Sequence, residues 1–87
     1  MGLQAGADKM NFVATFYTHL SALRTARALE GAGVQAELAP VPRALSSSCG
    51  TCVRYSAETP LLERMDADTE AVYRREGDRY VCLLRNE

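Results

Sequence analysis

The chain has 87 residues, of which 47% are hydrophobic, so it can fill one hydrophobic core and is too short for a second independent one. Its 10 Lys and Arg residues are matched by 11 Asp and Glu residues, and the formal charge of -1 excludes the basic excess typical of nucleic-acid-binding proteins. No stretch approaches the roughly 20 apolar residues that cross a bilayer, and no charged segment followed by an apolar run begins the sequence. We therefore expect a cytoplasmic protein without nucleic-acid or membrane partners.

The first half of the sequence predicts a β-α-β unit. Residues 1–10 contain two glycines and little periodicity, which predicts a flexible lead-in before a single α+β domain over residues 11–87. Residues 11–17 are rich in β-branched and aromatic side chains and predict a buried strand.

A helix should follow this strand. Thr18 or Ser21 can cap it, apolar residues recur at helical spacing as far as Leu29, and Gly31 or Gly33 should end it. Residues 34–39 then alternate apolar and polar side chains and predict a half-exposed strand. The two strands of such a unit should run parallel with a right-handed crossover.

The second half predicts another strand, a short helix and a hairpin. Residues 52–57 alternate as a strand does, and Thr59-Pro60 is a favourable helix start with an apolar face behind it. Residues 69–75 and 79–84 flank Gly77 and predict a hairpin, the alternative being that the helix continues through Ala71 and Val72. The order β-α-β-β-α-β, with an extra C-terminal strand as an option, predicts a ferredoxin-like α+β two-layer sandwich.

The chemistry of the sequence is concentrated in residues 40–55. Pro40 and Pro42 should lead the chain out of a strand into a loop, and Cys49 and Cys52 lie where this loop leads into the sheet again. A Cys-X-X-Cys spacing lets two sulfurs form a disulfide, share a metal ion or pass a sulfur atom between them. Three cysteines do not fit a secreted disulfide framework, and in a reducing compartment a close pair indicates catalysis or metal binding.

Cys49 is the predicted nucleophile of this pair. Gly50 leaves the neighbouring position without a side chain and so gives access to the sulfur. Loop N–H groups and positive charge can lower a thiol pKa from about 8.5 toward neutrality. The groups that we expect to do so, and to hold an added anionic atom, are the hydroxyls of Ser46, Ser47 and Ser48 and the guanidinium groups of Arg43 and Arg54.

The order of residues in this stretch resembles a known family. Val41-Pro42-Arg43, then Ser46-Ser47-Ser48-Cys49-Gly50, then Val53-Arg54-Tyr55 resemble the putative Se/S carrier protein-like family, and the resemblance extends over about residues 12–73. It implies a small cytoplasmic protein that carries sulfur or selenium as a persulfide or selenide on Cys49, between donor and acceptor proteins and without a cofactor. The family's Cys-Gly falls on Cys49 and Gly50, and its arginine on Arg54.

The role of Cys52 stays open at this point. Many members of the family have an aliphatic residue at this position, and this difference leaves three roles open. Cys52 is either a resolving thiol that attacks a persulfide on Cys49, a metal ligand, or a packed side chain. A thiol-disulfide redox protein is the main alternative function, although such proteins place the motif at a helix start and the residues after Cys52 favour a strand. Whether the protein is an enzyme is likewise open.

A metal or iron-sulfur site is a further alternative. One Cys-X-X-Cys supplies two of the four ligands of a structural zinc site, and His19, Cys82 or a second chain would have to supply the others. The position of His19 between a strand and a helix is more typical of a capping or surface residue than of a catalytic base. Cys82 lies in an apolar strand, which predicts a small core residue. An unprotected edge of the C-terminal hairpin could pair with a second copy and give a homodimer.

Overall fold

A five-stranded antiparallel sheet with one α-helix forms the fold of the computed structural model, which describes residues 9–86. The elements in chain order are strand β1 Met10–Phe16, helix α1 His19–Gly31, strand β2 Gln35–Pro40, strand β3 Thr51–Ala57, a 3-10 turn at Leu62–Arg64, strand β4 Thr69–Glu76 and strand β5 Arg79–Arg85. The predicted strands, the first helix and the C-terminal hairpin are confirmed within one or two residues. The predicted lead-in at residues 1–10 lies outside the described residues except for its last two, of which Met10 belongs to β1.

The strands lie in the order β2-β3-β1-β4-β5, and every neighbouring pair is antiparallel. β1 is central, with Ala14 opposite Val53 of β3 on one side and Val72 of β4 on the other. β3 lies between β1 and β2, so these two strands run in the same direction without pairing with each other. One end of the sheet, called the common sheet end below, is therefore formed by the last residues of β1, β2 and β5 and the first residues of β3 and β4.

Helix α1 packs across β1, β2 and β3 on one face of the sheet. The side chain of Thr18 caps it by accepting a hydrogen bond of 3.1 Å from the Ser21 N–H, and Gly33, with φ of +81°, follows its end. Its buried apolar residues stand at the i, i+4, i+7 spacing that places them on one helix face: Ala22, Ala26 and Leu29. Alternate residues of β1 and β3 meet them: Phe12, Ala14, Phe16, Val53, Tyr55 and Ala57.

The predicted second helix is wrong. Leu61 adopts left-handed backbone angles, φ 53° and ψ 46°, which an L-residue side chain disfavours and a helix cannot contain. The Tyr55 hydroxyl holds the preceding residue by donating to the Pro60 carbonyl, and Leu61 and Met65 pack on the core from a single 3-10 turn. The segment thus buries the apolar side chains expected of it without forming a helix.

The α+β class is confirmed, and so is the extra C-terminal strand, β5. The ferredoxin-like arrangement is not confirmed, because α1 is the one α-helix in residues 9–86 where that arrangement needs two. The alternative of a helix through Ala71 and Val72 is wrong, since both residues lie in β4. Within the same residues, no helix combines the length and the apolar character needed to cross a membrane.

Candidate functional site

The loop between β2 and β3 lies at the common sheet end and carries Cys49; residues 41–50 are called the Cys49 loop below. Pro40 is still paired with Thr51 as the last residue of β2, so the chain leaves the sheet at Val41, one residue later than expected. The Val41 N–H donates to the Gly50 carbonyl at 3.1 Å and closes the loop at its base. The strand ladder thus fixes both ends of the loop.

Cys49 is half-buried near the closed base of the loop. It packs against the helix-side core, and its thiol donates to the Thr51 carbonyl, with 3.4 Å between Sγ and O. Gly50 is exposed with φ of +75°, a conformation that residues with a side chain adopt at a cost, and no atom outside its chain neighbours lies within 4 Å of the position a Cβ would take. The sulfur therefore belongs to a residue that packs on the core and is partly exposed, and the next residue has no side chain.

The serines of the loop bind groups other than the sulfur. The Ser47 hydroxyl donates to the Phe16 carbonyl at 3.1 Å, and Ser48 donates its N–H and its hydroxyl to the Glu70 carboxylate at 3.1 and 3.3 Å. Ser46 is exposed. Two of the three predicted anion donors thus attach the loop to β1 and β4.

Glu70 is a site residue that the sequence interpretation missed. It is the second residue of β4 and, by accepting two hydrogen bonds from Ser48, it holds the residue before Cys49 in place. Its signal in the sequence is only an acidic residue at the start of a strand. The contact depends on β4 lying beside β1 at the same sheet end as the loop, which local patterns do not reveal.

The two predicted arginines lie in different elements. Arg54 stands opposite Val13 and Glu37 on the face without the helix, and it forms an exposed ion pair with Glu37 at 3.7 Å. Cys49 packs on the other face. Arg43 belongs to the loop itself and is exposed, so it is the arginine that shares the loop with the sulfur.

Cys52 is fully buried and faces away from the helix. Its register partners are Thr15 and Ala39, and its thiol donates to the Pro40 carbonyl, with 3.6 Å between Sγ and O. Burial raises the pKa of Cys52, with smaller increases from Cys49 and Glu37 and a partial decrease from the charge of Arg54. Cys52 is thus a poor source of thiolate, and the Cys-X-X-Cys motif does not place both sulfurs on one face of the sheet.

The three cysteines, all within the described part of the chain, are free thiols. Cys82 is exposed on β5, so the prediction that it is a core residue is wrong. The ring Nδ1 of His19, the first residue of α1, lies 3.4 Å from Oγ1 of Thr51. Across residues 9–86, no three His, Cys, Asp or Glu side chains group as metal ligands would, so the alternative ligand set of Cys49, Cys52, His19 and Cys82 is not assembled.

Comparison with known proteins identifies the family. The family model described as Putative Se/S carrier protein-like matches residues 11–73, which include β1 from its second residue, the whole Cys49 loop and β4 as far as Tyr73. Neither a curated protein nor a solved structure matches the chain. The match covers most of the 87 residues and confirms the resemblance that the Cys49 stretch indicates. The chain therefore belongs to the Putative Se/S carrier protein-like family.

Proposed function

We propose that this protein carries a sulfur or selenium atom on Cys49 and relays it from a donor protein to an acceptor protein in the cytoplasm. The observation that supports this most is the placement of Cys49, which is half-buried against the core and is followed by Gly50, an exposed residue without a side chain. A carrier needs this combination, because the sulfur must be both held in place and reachable by two partners in turn.

The transfer conserves atoms and electrons without a cofactor. The Cys49 thiolate attacks the outer sulfur of a donor persulfide, a new S–S bond forms, and the donor S–S bond breaks with its electron pair on the donor sulfur. The donor leaves as a thiol after taking up the proton that Cys49 has lost. The outer atom is selenium in the second case, and release to the acceptor repeats the exchange in reverse.

The neighbouring groups take separate roles in this proposal. Ser47 and Ser48 keep the loop in shape through Phe16 and Glu70. Arg43 and Ser46 are exposed on the loop, so we assign them to contact with the partner and with the negative charge of the persulfide. Arg54 and Cys52, on the other face, are assigned to stability.

Mass spectrometry of the intact protein tests the proposal. After incubation with a cysteine desulfurase and cysteine, the protein should gain the mass of one sulfur atom, a thiol reductant should remove it, and peptide mapping should place it on Cys49. Cys49→Ser should abolish the adduct. Cys82→Ser is the matched control and should keep it, because Cys82 is exposed on the distant strand β5.

Two outcomes count against the carrier. One is the absence of an adduct under conditions that load an established sulfur carrier, and the other is labelling of Cys82 in preference to Cys49. The thiol-disulfide alternative predicts instead that a reversible Cys49–Cys52 disulfide is required. The burial of Cys52 and its position on the opposite face favour the carrier, for which Cys52→Ser should load as the wild type does.

A further inference from the structure

His19 stands at the same sheet end as Cys49, and Thr51 contacts both residues. The Thr51 carbonyl accepts the hydrogen bond from the Cys49 thiol at 3.4 Å, and Oγ1 of Thr51 lies 3.4 Å from Nδ1 of His19. Thr51 is two residues before Val53, whose side chain belongs to the helix-side core, so the Thr51 side chain also points to the helix side. His19 and Cys49 thus contact the same residue, His19 at the Thr51 hydroxyl and Cys49 at the Thr51 carbonyl.

The fold fixes the position of His19. It is the first residue of α1, directly after the capping residue Thr18, and its side chain is exposed. When Nδ1–H donates to Thr51 Oγ1, the lone pair of a neutral imidazole is on Nε2, the nitrogen that can then exchange a proton. The contact with Thr51 orients the ring, and in that tautomer Nε2 is the nitrogen that can accept a proton.

We propose that His19 is the residue that takes the proton from Cys49 during sulfur or selenium loading and returns it to the departing donor thiolate; this rests on the proposed carrier function. Nε2 accepts the thiol proton, the Cys49 thiolate attacks the outer sulfur of the donor persulfide, and the donor S–S bond breaks. The imidazolium then donates the same proton to the donor sulfur. The histidine ends as it began, and no oxidant or reductant is consumed.

Four other ionisable groups near this sheet end are engaged elsewhere or are poor bases. The Glu70 carboxylate accepts from Ser48, and the Asp66 carboxylate accepts from Ser21 on α1. Cys52 is buried on the opposite face, and Arg43, in the loop, does not release its proton near neutral pH. His19, whose imidazole can both accept and donate a proton, is therefore the group that we assign to this role.

Alkylation of Cys49 by iodoacetamide, followed by peptide mass spectrometry from pH 5.5 to pH 9 in steps of about half a unit, tests this without any sulfur donor. In the wild type, the Cys49 rate should include a component that depends on His19. His19→Gln should remove that component and slow Cys49 about tenfold near pH 7, less than the hundredfold or more that general-base catalysis contributes at full efficiency. Thr51→Val keeps the carbonyl, removes the hydroxyl that orients the ring, and should give an intermediate profile.

Cys82 serves as the internal control, since its rate should be the same in all three proteins. An unchanged Cys49 profile in His19→Gln, with Cys82 also unchanged, overturns the role of His19. The carrier function can fail separately: if desulfurase does not load the wild type although alkylation depends on His19, the proton transfer stands and the sulfur cargo does not. If loading succeeds while the alkylation rate of Cys49 does not depend on His19, the carrier function stands and the proton transfer by His19 does not.

Discussion

At the scale of single residues, the three thiols differ in environment more than in sequence. Cys82 is exposed, Cys49 is half-buried and Cys52 is inaccessible to solvent. Burial also raises the pKa of Cys52, so a smaller fraction of this thiol is thiolate near neutral pH than in an exposed cysteine. Both effects slow the same chemistry at Cys52.

We therefore expect alkylation of the native protein near neutral pH to label Cys82 and Cys49 well before Cys52. Labelling of Cys52 should follow the rate of local or global opening and should become fast in denaturant. Timed quenching and peptide mapping measure the three rates in one sample. Equal rates for Cys49 and Cys52 would contradict the burial that distinguishes them here.

Gly50 and Gly33 form a matched pair for testing the loop conformation. Both have positive φ, +75° and +81°, and a Cβ at either position would meet no atom within 4 Å outside the glycine's chain neighbours. Each change to Ala should therefore cost about 1 kcal/mol of unfolding free energy from backbone strain alone. Only Gly50→Ala should also change the alkylation rate of Cys49.

Chemical denaturation and thiol labelling of the two variants make this comparison. If both variants lose the same stability and only Gly50→Ala changes the alkylation rate of Cys49, the loop backbone sets access to the sulfur. If Gly33→Ala altered Cys49 to the same extent, access would depend on general stability instead.

At the scale of elements, Asp66 joins α1 to the start of β4. Its carboxylate accepts a hydrogen bond of 2.7 Å from the Ser21 hydroxyl, and its N–H donates to Oγ1 of Thr25 at 3.1 Å, both residues being buried on α1. Its carbonyl accepts from the N–H and the hydroxyl of Thr69. One residue thus satisfies buried polar groups of both elements.

This connection makes stability depend on pH. The hydrogen bond from Ser21 is the main cause that holds the pKa of Asp66 below its usual value, with help from the Asp68 and Ala67 N–H groups and the charge of Arg24. A carboxyl whose pKa is depressed by folding stabilises the fold above its unfolded pKa of about 3.9, and this contribution is lost as the pH falls through the folded value.

Ser21→Ala should lower the unfolding free energy by about 1 kcal/mol at neutral pH, and by less at an acid pH below the lowered pKa of Asp66. Urea denaturation at both pH values measures this. Asp66→Asn supplies the control background, in which Ser21→Ala should show no such pH dependence. A loss that is independent of pH in the wild-type background would mean that the hydroxyl matters only to the packing of α1.

Elements with a strong local pattern could be predicted, and contacts between elements could not. The strands and α1 follow from alternation and helical spacing, which burial on one face enforces. The segment around Leu61 has the composition of a helix start, yet the bond from Tyr55 to Pro60 and core packing impose another conformation. Cys49 was correctly placed at a sheet end, whereas the faces taken by Cys52 and Arg54 depend on strand register.

At the scale of the whole molecule, one core holds helix and sheet together. Leu29 is fully buried where α1 meets the sheet, and Cys52 is fully buried on the other face. If residues 11–87 form a single cooperative domain, helix signal and Cys52 protection must be lost together.

Leu29→Ala should lower the unfolding free energy by about 3 kcal/mol through the lost contacts and the cavity. Far-ultraviolet circular dichroism and reactivity of Cys52 toward a chromogenic disulfide should shift to lower denaturant concentration by the same amount. Ala28→Gly, at an exposed position of the same helix, is the milder control at about 1 kcal/mol. Separate midpoints for the two probes would reveal more than one folding unit.

The central position of β1 has a consequence for synthesis on the ribosome. β1 is translated before every other element, but its neighbours in the sheet are β3, at Thr51–Ala57, and β4, at Thr69–Glu76. Until β4 has left the exit tunnel, a nascent chain shows an open strand edge along residues that include Phe12 and Phe16. We expect ribosome-associated chaperones to engage this strand first, and translation pauses before β4 to favour aggregation more than pauses after it.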